Sequence, residues 1–154
     1  MTTYVAVIGG TDVDDAVAAT AERVGSLLAA EGAIVVTGGR GGVAAAASRG
    51  ARQAGGRTVG ILPGRTRGEA NEWIEIAVPT GLGETRNALV VMDADAVIAF
   101  PGAYGTFVEL GFALHSGRPT VVVGDWPLID GVDVVRVTDA DAAVAAALAM
   151  ASTT

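Results

Sequence analysis

Three times in this chain a short apolar run ends in a cluster of glycines and gives way to a segment with helical spacing. Residues 4–8 lead into Gly9-Gly10-Thr11-Asp12, residues 33–37 into Gly38-Gly39-Arg40-Gly41-Gly42, and residues 95–100 into Pro101-Gly102-Ala103-Tyr104-Gly105-Thr106. Strand, glycine turn and helix in succession read as βαβ units around a parallel sheet. The expected fold is therefore α/β: a single doubly wound, mainly parallel sheet, Rossmann-like, with about six or seven strands and helices on both faces. Residues 1–154 are expected to form one nucleotide- or phosphate-binding domain. With 51% hydrophobic residues but only 5% aromatic, its core has to be built from Val, Ala, Ile and Leu, which suits a buried parallel sheet under small-residue helices.

The remaining elements follow the same periodicity. Residues 16–30 carry apolar residues at Val17, Ala21, Val24, Leu27 and Leu28, with Asp12 as the expected N-cap, Asp14 and Asp15 in the first turn, and Gly32 ending the helix. An alanine-rich helix is expected over 43–53, a third strand over 57–62 and a polar loop over 65–72 as the segment most open to motion. A fourth strand over 75–78 ends at Pro79, and residues 81–87 open a helix carrying Leu89, Val90 and Met92. The helix after the third glycine turn runs to Ser116, followed by strands over 118–124 and 132–137 and a closing helix over 140–151.

Ligands of doubly wound sheets bind outside the carboxyl ends of the strands, and all three glycine turns lie on that edge. The turn at 101–106 is the most informative. Backbone N–H groups at its helix start form an anion site, and the glycines admit close approach of a ligand. Thr106 is placed to cap the helix or to donate its hydroxyl to a phosphate oxygen. Glu109 is expected in the first turn, where the helix dipole favours its ionised form. The alternative is an ordinary glycine-rich connection with Glu109 as a plain helix residue. Gly9, Gly10 and Thr11 carry the same two readings, ligand contact or simple turn. Gly39, Gly41 and Ala44 satisfy the G-x-G-x-x-A dinucleotide fingerprint, and Arg65 would suit a 2′-phosphate, but the match follows the second strand rather than the first. Arg86 near a helix start works against the dipole, which an anion or carboxylate partner would explain. His115, the single histidine, suits a cation-tolerant helix C-terminus without a catalytic role.

Composition removes several chemistries. There is no cysteine, which excludes thiol catalysis and zinc-thiolate sites. All ten basic residues are arginine, so neither a pyridoxal-phosphate Schiff base nor a Walker-type lysine can form. No resident cofactor and no metal are expected. The net charge of −7 opposes nucleic acid as a partner, leaving local donors and single arginines to hold an anion. No apolar stretch reaches membrane-spanning length and the first residues run straight into a strand, so no membrane partner and a cytoplasmic location are expected.

Gly38-Gly39 before an alanine-rich helix, Thr85-Arg86-Asn87 opening another, and Pro101-Gly102-Ala103-Tyr104-Gly105-Thr106 ending in Glu109 together resemble the LOG-like Rossmannoid proteins, once labelled lysine decarboxylases. The best-known members of that family release the base from nucleoside 5′-monophosphates. The resemblance implies that Gly102, Gly105 and Thr106 hold the 5′-phosphate; Pro101, Ala103 and Tyr104 of the same turn, with Gly9, Gly10, Thr11, Gly38 and Gly39, are expected as further ligand contacts. It also implies that Arg86 and Glu109 form a catalytic pair, Arg86 fixing Glu109 by a charge-assisted bond. Ala103 stands where the motif has a second glycine, and Asn87 where the hydrolases carry lysine. The short chain and the Arg86-Asn87 pair look closer to a sister branch that includes molybdenum-cofactor carriers. Two functions therefore follow from the resemblance. One is hydrolysis of the N-glycosidic bond of a purine nucleoside 5′-monophosphate, AMP or cytokinin-type, to base and ribose 5-phosphate. The other is non-catalytic carriage of a phosphorylated pterin such as molybdenum cofactor. Decarboxylation is opposed by the missing lysine. Family members are usually homodimers or homotetramers, for which Leu89, Val90, Met92, Phe107, Leu110 and Leu114 are the apolar candidates.

Overall fold

Successive residues of a strand face opposite sides of a sheet, and in β1 (Tyr4–Ile8) Val5 and Val7 enter one core while Ala6 and Ile8 enter another. The computed structural model describes residues 1–128 and 130–153. The other strands are β2 (Ile34–Thr37), β3 (Arg57–Leu62), β4 (Ile76–Pro79), β5 (Ala96–Ala99), β6 (Thr120–Val123) and β7 (Val135–Val137). They form one sheet in the order β4-β3-β2-β1-β5-β6-β7, and every pairing is parallel. The chain winds outward from β1 to β4, returns to β5 on the other side of β1, and winds outward again. The switch point thus lies between β1 and β5.

Helices cover both faces. On one side α1 (Asp15–Ala30), α2 (Val43–Gln53) and α5 (Ala140–Ala151) enclose Val5, Val7, Val35 and Ile98. On the other, α3 (Asn87–Met92) and α4 (Tyr104–His115) enclose Ala6, Val97, Ala99 and Val122. The helices on the first side approach closely because both contribute glycine at the crossing. A Cβ on Gly25 of α1 would fall inside contact distance of the Ala47 carbonyl, and one on Gly50 of α2 inside that of Glu22. Small residues here replace the aromatic bulk that the composition lacks.

Several boundaries differ from the sequence expectation. The N-cap of α1 is Asp14, whose carboxylate accepts from the Val17 N–H at 2.8 Å, rather than Asp12. The segment 83–86 is a 3₁₀ turn, and α3 proper begins only at Asn87. Pro79 is the last residue of β4, as an edge strand allows, instead of standing beyond it. The polar loop over 65–72 contains a 3₁₀ turn at Arg67–Glu69 closed by a capping box between Thr66 and Glu69. It is also tied back to the second glycine turn: the Asn71 N–H donates to the Gly39 carbonyl at 2.8 Å and its Nδ2 to the Arg40 carbonyl at 2.7 Å.

Of the six apolar residues considered for an oligomer contact, Val90 and Leu110 are core, and Leu114 packs against it. Leu89, Met92 and Phe107 remain exposed, joined by Val108 and Phe112 on α4. Among the described residues no helix is long and apolar enough to cross a membrane.

The glycine crossing gives a direct test. Gly25→Ala should lower stability by about 1–3 kcal/mol in urea unfolding, because the added methyl has only backbone to meet. Gly111→Ala on α4, where nothing lies within 4 Å, should raise it by about 0.5–1 kcal/mol. A neutral Gly25→Ala would remove the close-contact account.

Candidate ligand cleft at the carboxyl edge

The three glycine turns meet through one residue, Gly10. The Gly10 N–H donates to the Pro101 carbonyl at 2.9 Å, and the Gly10 carbonyl accepts from the Val43 N–H at 3.0 Å. The turn after β1 is thereby stitched to the turn after β5 and to the start of α2. Gly42 has φ +63° and lies against the Gly10 carbonyl closely enough that any side chain would collide with it. The turns border an open cleft of about 140 Å³.

Its walls come from all the expected segments. Gly9, Gly10 and Thr11 line it from the first turn, Gly38 from the second, and Ala103, Gly105, Thr106 and Glu109 from the third, with Arg86 entering from the 3₁₀ turn. Four predicted contacts do not line it. Gly39 turns toward β3, where a Cβ would meet Leu62 and Gly60. Pro101 supplies the carbonyl that holds Gly10. Gly102 lies beneath the Thr106 side chain and the Gly10 N–H, so that its missing side chain makes room for them. Tyr104 points outward, 89% exposed. Gly41 and Ala44 of the fingerprint match also line the cleft, and residues not singled out as ligand contacts complete it, chiefly Arg40, Glu84 and Asn87. Arg40 carried a signal, an arginine inside a run of glycines, whereas Glu84 had none, because only the 3₁₀ geometry turns it inward.

The α4 helix starts at Tyr104 with Ala103 as N-cap and no side-chain cap. Thr106 is therefore the third helical residue and not the cap, and its hydroxyl has no partner among the described residues, leaving it available to a ligand. Glu109 sits in the second turn, beyond the first-turn position expected of it. Both Arg86 and Glu109 are 7% exposed. Their closest N–O approach is 3.9 Å, an ion pair without a hydrogen bond. The charge-assisted bond expected between them is absent, because the Arg86 Nη1 donates to the Asn87 Oδ1 instead. The Arg86 Nε is buried with no acceptor, and the guanidinium lies over Gly38, where an added Cβ would sit 3.2 Å from Nη2.

Burial pushes the Glu109 carboxyl up from 4.5 to about 7, against the lowering effect of Arg86 and with a smaller upward push from Glu84. The expectation that the helix dipole keeps Glu109 ionised is thus overturned. The dipole acts mainly within the first turn, and Glu109 lies past it in a desolvated position. No group of His, Cys, Asp and Glu among the described residues is arranged to hold a metal ion.

An all-parallel doubly wound sheet with a cleft at its switch point defines a Rossmann-like α/β class. Within that class the chain belongs to the SLOG cluster4 family, whose model matches residues 2–152. An uncharacterised protein of Archaeoglobus fulgidus is 36% identical over 130 residues, 84% of this chain and 85% of that protein. Among solved structures, the molybdenum cofactor binding protein of the phototrophic bacterium Rippkaea orientalis superposes with a TM-score of 0.91 at 31% identity, covering 100% of this chain and 99% of that one. The molybdenum cofactor carrier protein of Chlamydomonas reinhardtii gives 0.87 at 29% identity, with 99% of each chain covered.

Glu109 links stability to pH. Its carboxyl holds a proton more tightly in the folded than in the unfolded chain, so the stability it contributes is complete below about pH 4.5 and is lost as pH rises through about 7. The full loss is on the order of 3 kcal/mol. Thermal melts from about pH 5 to about pH 8 should show the native chain losing stability that Glu109→Gln, neutral and of the same shape, retains. Superimposable profiles for the two proteins would contradict the burial assigned to this carboxyl.

Proposed function

We propose that this protein binds and carries a small phosphorylated ligand, such as molybdenum cofactor, with the phosphate on the N-terminal turn of α4. The observation that carries the proposal is the buried Arg86, whose Nε has no acceptor, beside a helix start that no side chain caps. An anion supplies both with a partner. The similarity to two molybdenum-cofactor proteins over nearly their whole length supports the choice of ligand. Gly105 leaves that position open: among the described residues only the Asn87 Nδ2 lies near, 3.6 Å from where a Cβ would stand.

A second reading is favoured by one feature, the Glu109 carboxyl. It is buried, makes no hydrogen bond among the described residues, and titrates near neutrality within reach of Arg86. Such a group would accept a ribose hydroxyl or stabilise developing oxocarbenium charge in nucleoside monophosphate hydrolysis. Against that reading, Asn87 rather than Glu109 takes the hydrogen bond of Arg86. The negative net charge argues for a small ligand over a nucleic acid. The exposed apolar residues of α3 and α4 support assembly into a homo-oligomer through that face.

Titration with molybdenum cofactor should stabilise the protein thermally, and Gly105→Leu, whose Cβ is tolerated but whose longer side chain fills the turn, should remove the shift while the protein stays folded. Carriage without chemistry predicts no free adenine from AMP, whereas base release lost in Glu109→Gln would favour the hydrolase. No thermal shift with cofactor, together with no response to any nucleoside monophosphate, would end both readings. Light scattering should give a mass above one subunit, falling when Met92→Glu and Phe112→Glu are combined.

A further inference from the structure

The four long helices differ at their starts. Helices α1 and α5 are each capped by an aspartate side chain, Asp14 and Asp139, which accepts from the N–H three residues on. Helices α2 and α4 begin at Gly42 and Ala103 with no side-chain cap. These two uncapped starts open onto the same cleft, with Gly41 and Ala44 lining it from the α2 side and Gly105 and Thr106 from the α4 side.

A bare helix start is not by itself a site. Here a second feature points the same way: Arg86, more than nine-tenths buried, lines the cleft with an Nε that finds no acceptor, and its guanidinium rests on Gly38 at the root of the α2 turn. Arg40, in that same turn, also lines the cleft and makes no ion pair among the described residues. The cleft carboxylates Glu84 and Glu109 come from the 3₁₀ turn and from α4, so the β2–α2 turn contributes glycines and a cation to the lining and no acidic side chain. Asn71 holds this turn in place by bonding the Gly39 and Arg40 carbonyls, which directs those acceptors to the loop over 65–72.

We infer that the cleft has two anion subsites and that the ligand carries two anionic groups, a phosphate on the α4 turn and a second on the α2 turn beside Arg40. The inference rests on the phosphate-carrier reading and narrows it to ligands charged at two positions. A charge-assisted bond to Arg40, added to the amides of an uncapped helix, strengthens binding by roughly tenfold or more over a ligand with one anionic group.

The test compares ribose 5-phosphate with ribose 1,5-bisphosphate, and inorganic phosphate with pyrophosphate, by isothermal titration. The expected result is that at least one two-anion probe binds about tenfold tighter than its one-anion partner. Arg40→Ala should reduce that ratio to near one, while Arg65→Ala, an arginine outside the cleft, should preserve it. Equal affinities within both pairs, or a ratio lowered as much by Arg65→Ala as by Arg40→Ala, would overturn the second subsite. If the one-anion probes bind in a manner abolished by Gly105→Leu, the carrier reading survives that outcome. Should no probe bind at all, both fall together.

Discussion

The cleft depends on the backbone of Gly10. Its N–H holds the turn after β5 and its carbonyl holds the start of α2, so a single residue fixes the spacing between the two helix starts that border the site. Neither bond tolerates bulk. A Cβ on Gly9 would meet Val43 and Phe100, and one on Gly42 would strike the Gly10 carbonyl. The glycine clusters that look in the sequence like ligand loops are therefore in large part devices for bringing three backbones together. Only a subset of those residues is left facing the cavity, and they can form a cavity because the others pack so tightly behind them.

Electrostatics in the cleft follow from burial more than from charge count. The protein as a whole is acidic, yet the cleft collects Arg86, Arg40 and two uncapped helix starts. Asn87 takes one hydrogen bond from Arg86 without neutralising it, which a carboxylate in that place would do. Glu109 is close enough to feel the cation but not close enough to bond it, and desolvation outweighs the attraction. The result is a carboxyl near its midpoint at neutral pH facing an arginine with donors to spare.

Much of this was legible in the sequence. The continuous apolar runs and glycine turns located six of the seven strands by their cores, and the alanine-rich segments gave α2 and α5 with their observed ends. Parallel strands buried on both faces leave a strong apolar signal, which is why β1, β2 and β5 were plain. The last strand, three residues long and half exposed, was legible only as part of a longer edge-like stretch. Side-chain roles were harder to read. Asp12 and Asp14 are equally good caps by composition, and only the entry angle of the chain selects Asp14. Arg86 and Glu109 were identified as cleft residues, but their mutual geometry depends on where α4 begins, and a start two residues earlier than Thr106 moved Glu109 out of the first turn. Glu84 and Arg40 enter the site through turn conformations that a periodicity argument does not resolve.

The order of the strands has a consequence for how the chain assembles. The pieces of the cleft lie at 9–11, 38–44, 84–87 and 103–109, so they come together only when β5 has docked beside β1 across roughly ninety intervening residues, a long-range closure of the kind that folds slowly. A partly folded chain containing only the β1–β4 half would have the α2 turn without the α4 turn. Ligand affinity is thus a property of the completed sheet alone, and a bound ligand draws the folding equilibrium toward the chain in which both halves have joined.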